Sequence, residues 1–75
     1  MVVLSFDKMR KDRLRWVVDY VGSRRSVPFD ELVGNICFEF GVRRKVAVEY
    51  IYTLEDARKV RVKGVGSNKV VEVVR

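Results

Sequence analysis

Three groups of cations in this 75-residue chain are spaced to meet a polyanion. Arg43, Arg44 and Lys45 are consecutive. Arg61 and Lys63 are two apart, which on a strand puts both on one side. Lys69 follows a short turn later. Lysine and arginine total 16 against 10 acidic residues, a net charge of +6. On so small a domain that excess favours partners rich in phosphate, nucleic acid first among them. The chemistry is charge neutralisation and hydrogen bonding rather than bond breaking.

Catalytic chemistry has little to work with. There is no histidine, and Cys37 is the only cysteine. No internal disulfide can form, and neither a Ser-His nor a Cys-His pair can be built. A zinc site would need carboxylates alone. Cys37 reads as a small buried hydrophobe. With no convergent acid, base and nucleophile, the expectation is a protein that is not an enzyme and uses no metal or cofactor. No apolar run approaches the ~20 residues of a membrane helix. Val2-Val3-Leu4 is too short for a signal-peptide core. The sequence therefore predicts a cytoplasmic protein without a membrane partner.

The cations must be held by something, and hydrophobic spacing indicates what. Hydrophobic residues make up 48% of the chain, enough for one small core, and a single domain over residues 1–75 is expected. Met1 to Phe6 is either a strand or a lead-in, and Asp7 is a plausible N-cap. Leu14, Val17, Val18 and Val21 recur at helical spacing, predicting a helix from about Lys8 to Val21 that Gly22 and Ser23 end. Arg24 to Val27 is a basic connector, extended at Val27 because Pro28 follows. Pro28 suits the first turn of a second helix, with Asp30 and Glu31 near its positive end. Its apolar stripe is Phe29, Leu32, Val33, Ile36 and Phe40, and Gly41 stops it. A third helix runs from about Arg43 to Ala57 with Ala47, Ile51 and Leu54 inward and Tyr50 at the core's edge. Lys59 to Lys63 alternates polar and apolar, Val65 to Asn68 is a turn, and Lys69 to Val74 is a second strand, which together predict a hairpin.

The stretch from Phe40 to Gly64, FGVRRKVAVEYIYTLEDARKVRVKG, resembles the turn, recognition helix and first wing strand of winged helix-turn-helix DNA-binding domains. Gly41-Val42 matches the tight turn. Ala47, Ile51 and Leu54 match buried positions of the recognition helix, and Val60 and Val62 match the inward positions of the first wing strand. Val27 to Val33, VPFDELV, resembles the lead into that family's second helix. The resemblance implies an α+β fold, a three-helix winged helix-turn-helix with a C-terminal β-hairpin wing. It also implies a role in binding double-stranded DNA as a small transcriptional regulator. Lys45, Glu49 and Tyr52, with Asp56 beyond them, would then face the major groove, where base edges carry distinct donors and acceptors. Arg43, Arg44, Arg61, Lys63 and Lys69 would neutralise phosphates. Glu49 and Asp56 are acidic where that family more often has basic or neutral residues. Arg43 stands where a Ser or Thr cap is usual, and Arg58 where Gly is. The alternative is a winged-helix interaction module, an accessory subunit of a replication or transcription complex. The wing lysines have a second reading too, as guards of a sheet edge against aggregation.

Met9, Trp16 and Tyr20 are expected on the side of the first helix opposite Leu14, Val17, Val18 and Val21, and Phe38 projects off the core face of the second. A second apolar face must be covered. Either Val2 to Phe6 covers it within the chain, or it meets another molecule as a homodimer or other protein complex.

Overall fold

The computed structural model describes residues 3–74, and side chains from residue 8 to residue 74. Its elements, in order, are α1 (Val3–Arg24), β1 (Ser26–Pro28), α2 (Phe29–Phe40), α3 (Arg44–Asp56), β2 (Val60–Lys63), a 3-10 turn (Gly66–Asn68) and β3 (Val70–Val73). Three helices and a three-stranded antiparallel sheet make an α+β fold in the winged-helix arrangement, with β2 and β3 as the wing hairpin.

α1 is longer than the sequence predicts at both ends. Asp7 is not its N-cap: the helix is already under way from Val3. Gly22 and Ser23 do not end it either. The chain turns at Arg25, which takes a left-handed φ of 69°. α2 stops as expected, with Gly41 at φ 65° donating its N–H to the Cys37 carbonyl at 2.9 Å. Pro28 is not inside the first turn of α2; it caps the helix in extended geometry and closes β1.

The second expectation to change is the sheet. The connector is itself a strand, so the hairpin gains a third member in the order β1-β3-β2. Val27 pairs with Val71, flanked by Ser26 with Glu72 and Pro28 with Val70. On the other side of β3, Val60 pairs with Val73 and Val62 with Val71. Paired residues share a face. Val27, Val60 and Val71 therefore point together into the core, where all three are fully buried.

That core is one apolar cluster. Val17 and Val21 of α1 meet Leu32, Val33 and Ile36 of α2, Ala47, Ile51 and Leu54 of α3, and the three sheet valines. No polar or charged side chain is buried among the described residues. Of the expected apolar face of α1, Val17 and Val21 are fully buried as predicted, whereas Leu14 and Val18 are only half-buried. The inward direction lies toward Val17 and Val21. At about 100° per residue, Trp16 and Tyr20 then sit on one flank of the core face rather than opposite it.

Candidate nucleic-acid interface

α3 presents the face expected of it. Lys45, Glu49, Tyr52 and Asp56 are exposed, with Val48 and Thr53 half-buried at their sides. The same helix buries Ala47, Tyr50, Ile51 and Leu54. Arg43 occupies the N-cap with an extended backbone and no side-chain cap bond. Its carbonyl accepts the first helical bond from Ala47 N–H at 3.1 Å. α3 has no acidic residue in its first turn, so Arg43, Arg44 and Lys45 add to the positive potential of the free amides there.

Phe29, the first residue of α2, joins this helix to the wing. Its ring lies 5.9 Å from that of Tyr52. The Lys69 ammonium stands 5.4 Å from its centroid. The Phe29 N–H also donates to the Lys69 carbonyl at 2.9 Å. Lys69, at the loop end of the wing hairpin, and Tyr52 on α3 thereby both contact one buried ring. Beside them, Arg44 reaches Asp30 at 3.0 Å, tying the start of α3 to the first turn of α2. The structure thus brings together Arg44, Tyr52 and Lys69 around the α2 N-terminus.

The wing's outer face is less basic than the strand pattern alone implies. Arg61 and Lys63 are exposed and on one side of β2, as expected. Glu72 of β3 is opposite Arg61 in register and forms an ion pair with the Lys63 ammonium at 3.1 Å. The tip is compact: Gly64 and Gly66 take φ of 93° and 58°, and Asn68 N–H closes on the Val65 carbonyl at 3.1 Å.

Sequence reasoning missed three contributors. Asp30 and Glu72 each occupy one cation, and only the strand register and the packing of α2 on α3 reveal it. Glu55 is the third. β2 is a sheet edge, and the Glu55 carboxylate accepts the Val62 N–H that would otherwise face outward, at 3.2 Å. The helix-to-strand turn that allows this has a left-handed Arg58 at φ 61°. Arg58 N–H donates to the Glu55 carbonyl and Lys59 N–H to the Leu54 carbonyl, both at 2.9 Å. That is a paired-bond helix stop normally made with glycine. A separate cationic cluster, Lys11, Arg15 and Lys59, rims a groove of about 380 Å3 floored by Leu14, Val18 and Leu54.

The residues expected at a protein interface divide. Trp16 and Tyr20 are half-buried and stacked at 5.0 Å. Trp16 also meets the Phe40 ring edge-on at 5.3 Å. Tyr20 accepts a 2.7 Å hydrogen bond from the Asn35 amide, and the Arg24 guanidinium lies 3.9 Å over its ring. The cover thus comes in part from α2. Cover by the side chains of Val2 to Phe6 lies outside the described residues. Met9 stays 45% exposed and shares a groove with Trp16 and Phe40. Phe38 is 89% exposed and takes no part in that groove.

Among the described residues, no group of three His, Cys, Asp or Glu side chains is placed to hold a metal ion. No described helix is long and apolar enough to cross a membrane. Compared with known proteins, the chain matches no family model, no curated sequence and no solved structure.

Proposed function

We propose that this chain is a cytoplasmic DNA-binding protein that docks α3 in the major groove of double-stranded DNA and lays its wing along the backbone, as a small transcriptional regulator does. One observation carries the reading: the exposed face of α3 and the loop end of the wing both contact one ring, Phe29, through Tyr52 and Lys69. A groove-entering helix and a backbone-contacting loop must keep a fixed separation, and this contact sets it. Lys45, Glu49 and Tyr52 are the residues for base edges, with Glu49 suited to accept from a cytosine amine. Arg43, Arg44, Arg61, Lys63 and Lys69 are the residues for phosphates, which supply affinity without sequence information.

A second reading is favoured by a specific feature. Glu49 and Asp56 stand exposed on α3, and Asp30 and Glu72 pair with two of the five phosphate-facing cations. An interaction module that docks another protein of a replication or transcription complex would tolerate those acids better than a phosphate backbone does. Titration of a labelled random-sequence duplex at low salt decides between the two. Saturable binding that weakens stepwise in Arg43→Ala, Arg44→Ala and Lys69→Ala supports the DNA reading. No binding at low salt removes it and leaves the interaction module.

A further inference from the structure

Four charged residues form a ridge along α1. Lys8, Asp12, Arg15 and Asp19 are all exposed. Their spacing of four, three and four residues keeps them within about 60° of arc on the helix. Next to that ridge, Met9 and Trp16 line an apolar groove of about 510 Å3 with Phe40, bordered by Lys8, Asp12 and Arg13. Tyr20 continues the apolar line through its stack on Trp16.

The ridge reads positive, negative, positive, negative, and that order has a property an arbitrary charged face lacks. Reversed end to end, it becomes its own opposite. Laid antiparallel on a second copy, with the two-fold axis passing between residues 13 and 14, every charge meets its complement. Lys8 faces the partner's Asp19, and Asp12 faces the partner's Arg15. In a parallel pairing in register, each charge would meet its like. A phosphate backbone would gain nothing from the alternation. The apolar line fits the same register. At a rise of about 1.5 Å per residue, Met9 lies about 7 Å from the axis. Trp16 and Tyr20 of the partner subunit lie about 4 and 10 Å away on that side, so the methionine falls level with the stacked pair and meets it from the side. A two-fold interface requires one patch to complement itself, and this patch does.

Spacing of four residues also allows Lys8–Asp12 and Arg15–Asp19 pairs within one helix. The ion pairs among the described residues are instead Arg44–Asp30 and Lys63–Glu72, which leaves the ridge charges open to a partner. From this ridge and groove together we infer that the protein forms a symmetric dimer through antiparallel α1 helices, with a second copy of the chain as the occupant of the Met9–Trp16 groove. The inference does not depend on DNA binding, and its test contains no DNA.

Sedimentation of the full chain over a concentration series, with the emission of Trp16, the only tryptophan, as a second readout, tests it. The wild type is expected to sediment as a dimer, with Trp16 emission shifting to the blue as dimer forms. Asp12→Arg and Arg15→Asp each turn attraction into repulsion at two symmetric contacts, and each weakens the dimer about tenfold or more. Combining the two swaps re-creates both contacts with reversed signs and restores association. Both positions are exposed, and an unchanged helical signal checks that the monomer keeps its fold. A wild type that stays monomeric throughout overturns the inference. So does a dimer indifferent to the single swaps, which forms elsewhere, or a double swap that fails to restore it.

Discussion

Replacing Arg58 with glycine should make the protein more stable, although it deletes a side chain and adds none. Arg58 is held at φ 61° by the paired bonds that end α3. An L-residue in the left-handed region crowds its Cβ against the following carbonyl, at a cost of about 1–2 kcal/mol. Glycine removes that cost but gains freedom in the unfolded chain, which takes back about 0.4–1 kcal/mol. The net expectation is a gain of about 0.5–1 kcal/mol. For a domain this small that raises the melting temperature by roughly 3–6 °C. Arg58→Ala is the control, because it removes the charge and the long side chain but keeps the Cβ and its strain. Thermal and urea unfolding of the three proteins would show glycine alone moving the midpoint, with an unchanged urea slope. Equal stabilisation by alanine and glycine would refute the reasoning, because charge rather than backbone strain would then be responsible.

Other substitutions probe the wing and α3. A Cβ on Gly64 would lie 2.7 Å from the Asn68 carbonyl oxygen, whereas one on Gly66 meets nothing within 4 Å. Gly64→Ala should therefore lose about 2–4 kcal/mol by unfolding midpoint and Gly66→Ala about 1 kcal/mol; equal losses would remove the steric explanation. Glu55→Ala frees the Val62 N–H at the sheet edge, and should cost about 1 kcal/mol and promote concentration-dependent aggregation seen by light scattering. Lys69→Ala should weaken binding to all duplexes alike, while Tyr52→Ala should change the ranking among sequences in a competition assay. If both variants altered only overall affinity, the α3 face would have no part in base readout.

The helices and the core were legible because helical spacing is a local signal. Leu32, Val33 and Ile36 on α2 and Ala47, Ile51 and Leu54 on α3 are buried as their periodicity requires. β1 was not legible. It is three residues long, ends in proline and shows no alternation, and its partner Val71 lies far along the chain. The ends of α1 were misread for a different reason: Gly22 and Asp7 carry stop and start signals that the helix runs through, while the turn falls on Arg25. The same limit applies to the candidate interface. The exposure of Lys45, Glu49 and Tyr52 follows from the pattern of α3 alone. The pairing of Arg44 with Asp30 and of Lys63 with Glu72 depends on how separate elements meet. The position of Trp16 shows how one misplaced axis spreads. Taking Leu14, Val17, Val18 and Val21 as one buried face put Trp16 and Tyr20 on the far side, whereas only Val17 and Val21 are fully buried and the two rings lie half-buried at their flank.

The salt dependence of binding to random-sequence duplex DNA tests the central claim most directly. Each phosphate neutralised by a cation contributes about −0.9 to the slope of log affinity against log salt. If Asp30 and Glu72 give up Arg44 and Lys63 to phosphates, all five cations count and the slope is about −4.5. If both ion pairs persist in the complex, Arg43, Arg61 and Lys69 remain and the slope is about −2.7. A measured slope between those values, flattened by about one in Lys69→Ala, is the predicted result. A slope near zero, or no binding at the lowest salt, would contradict the account.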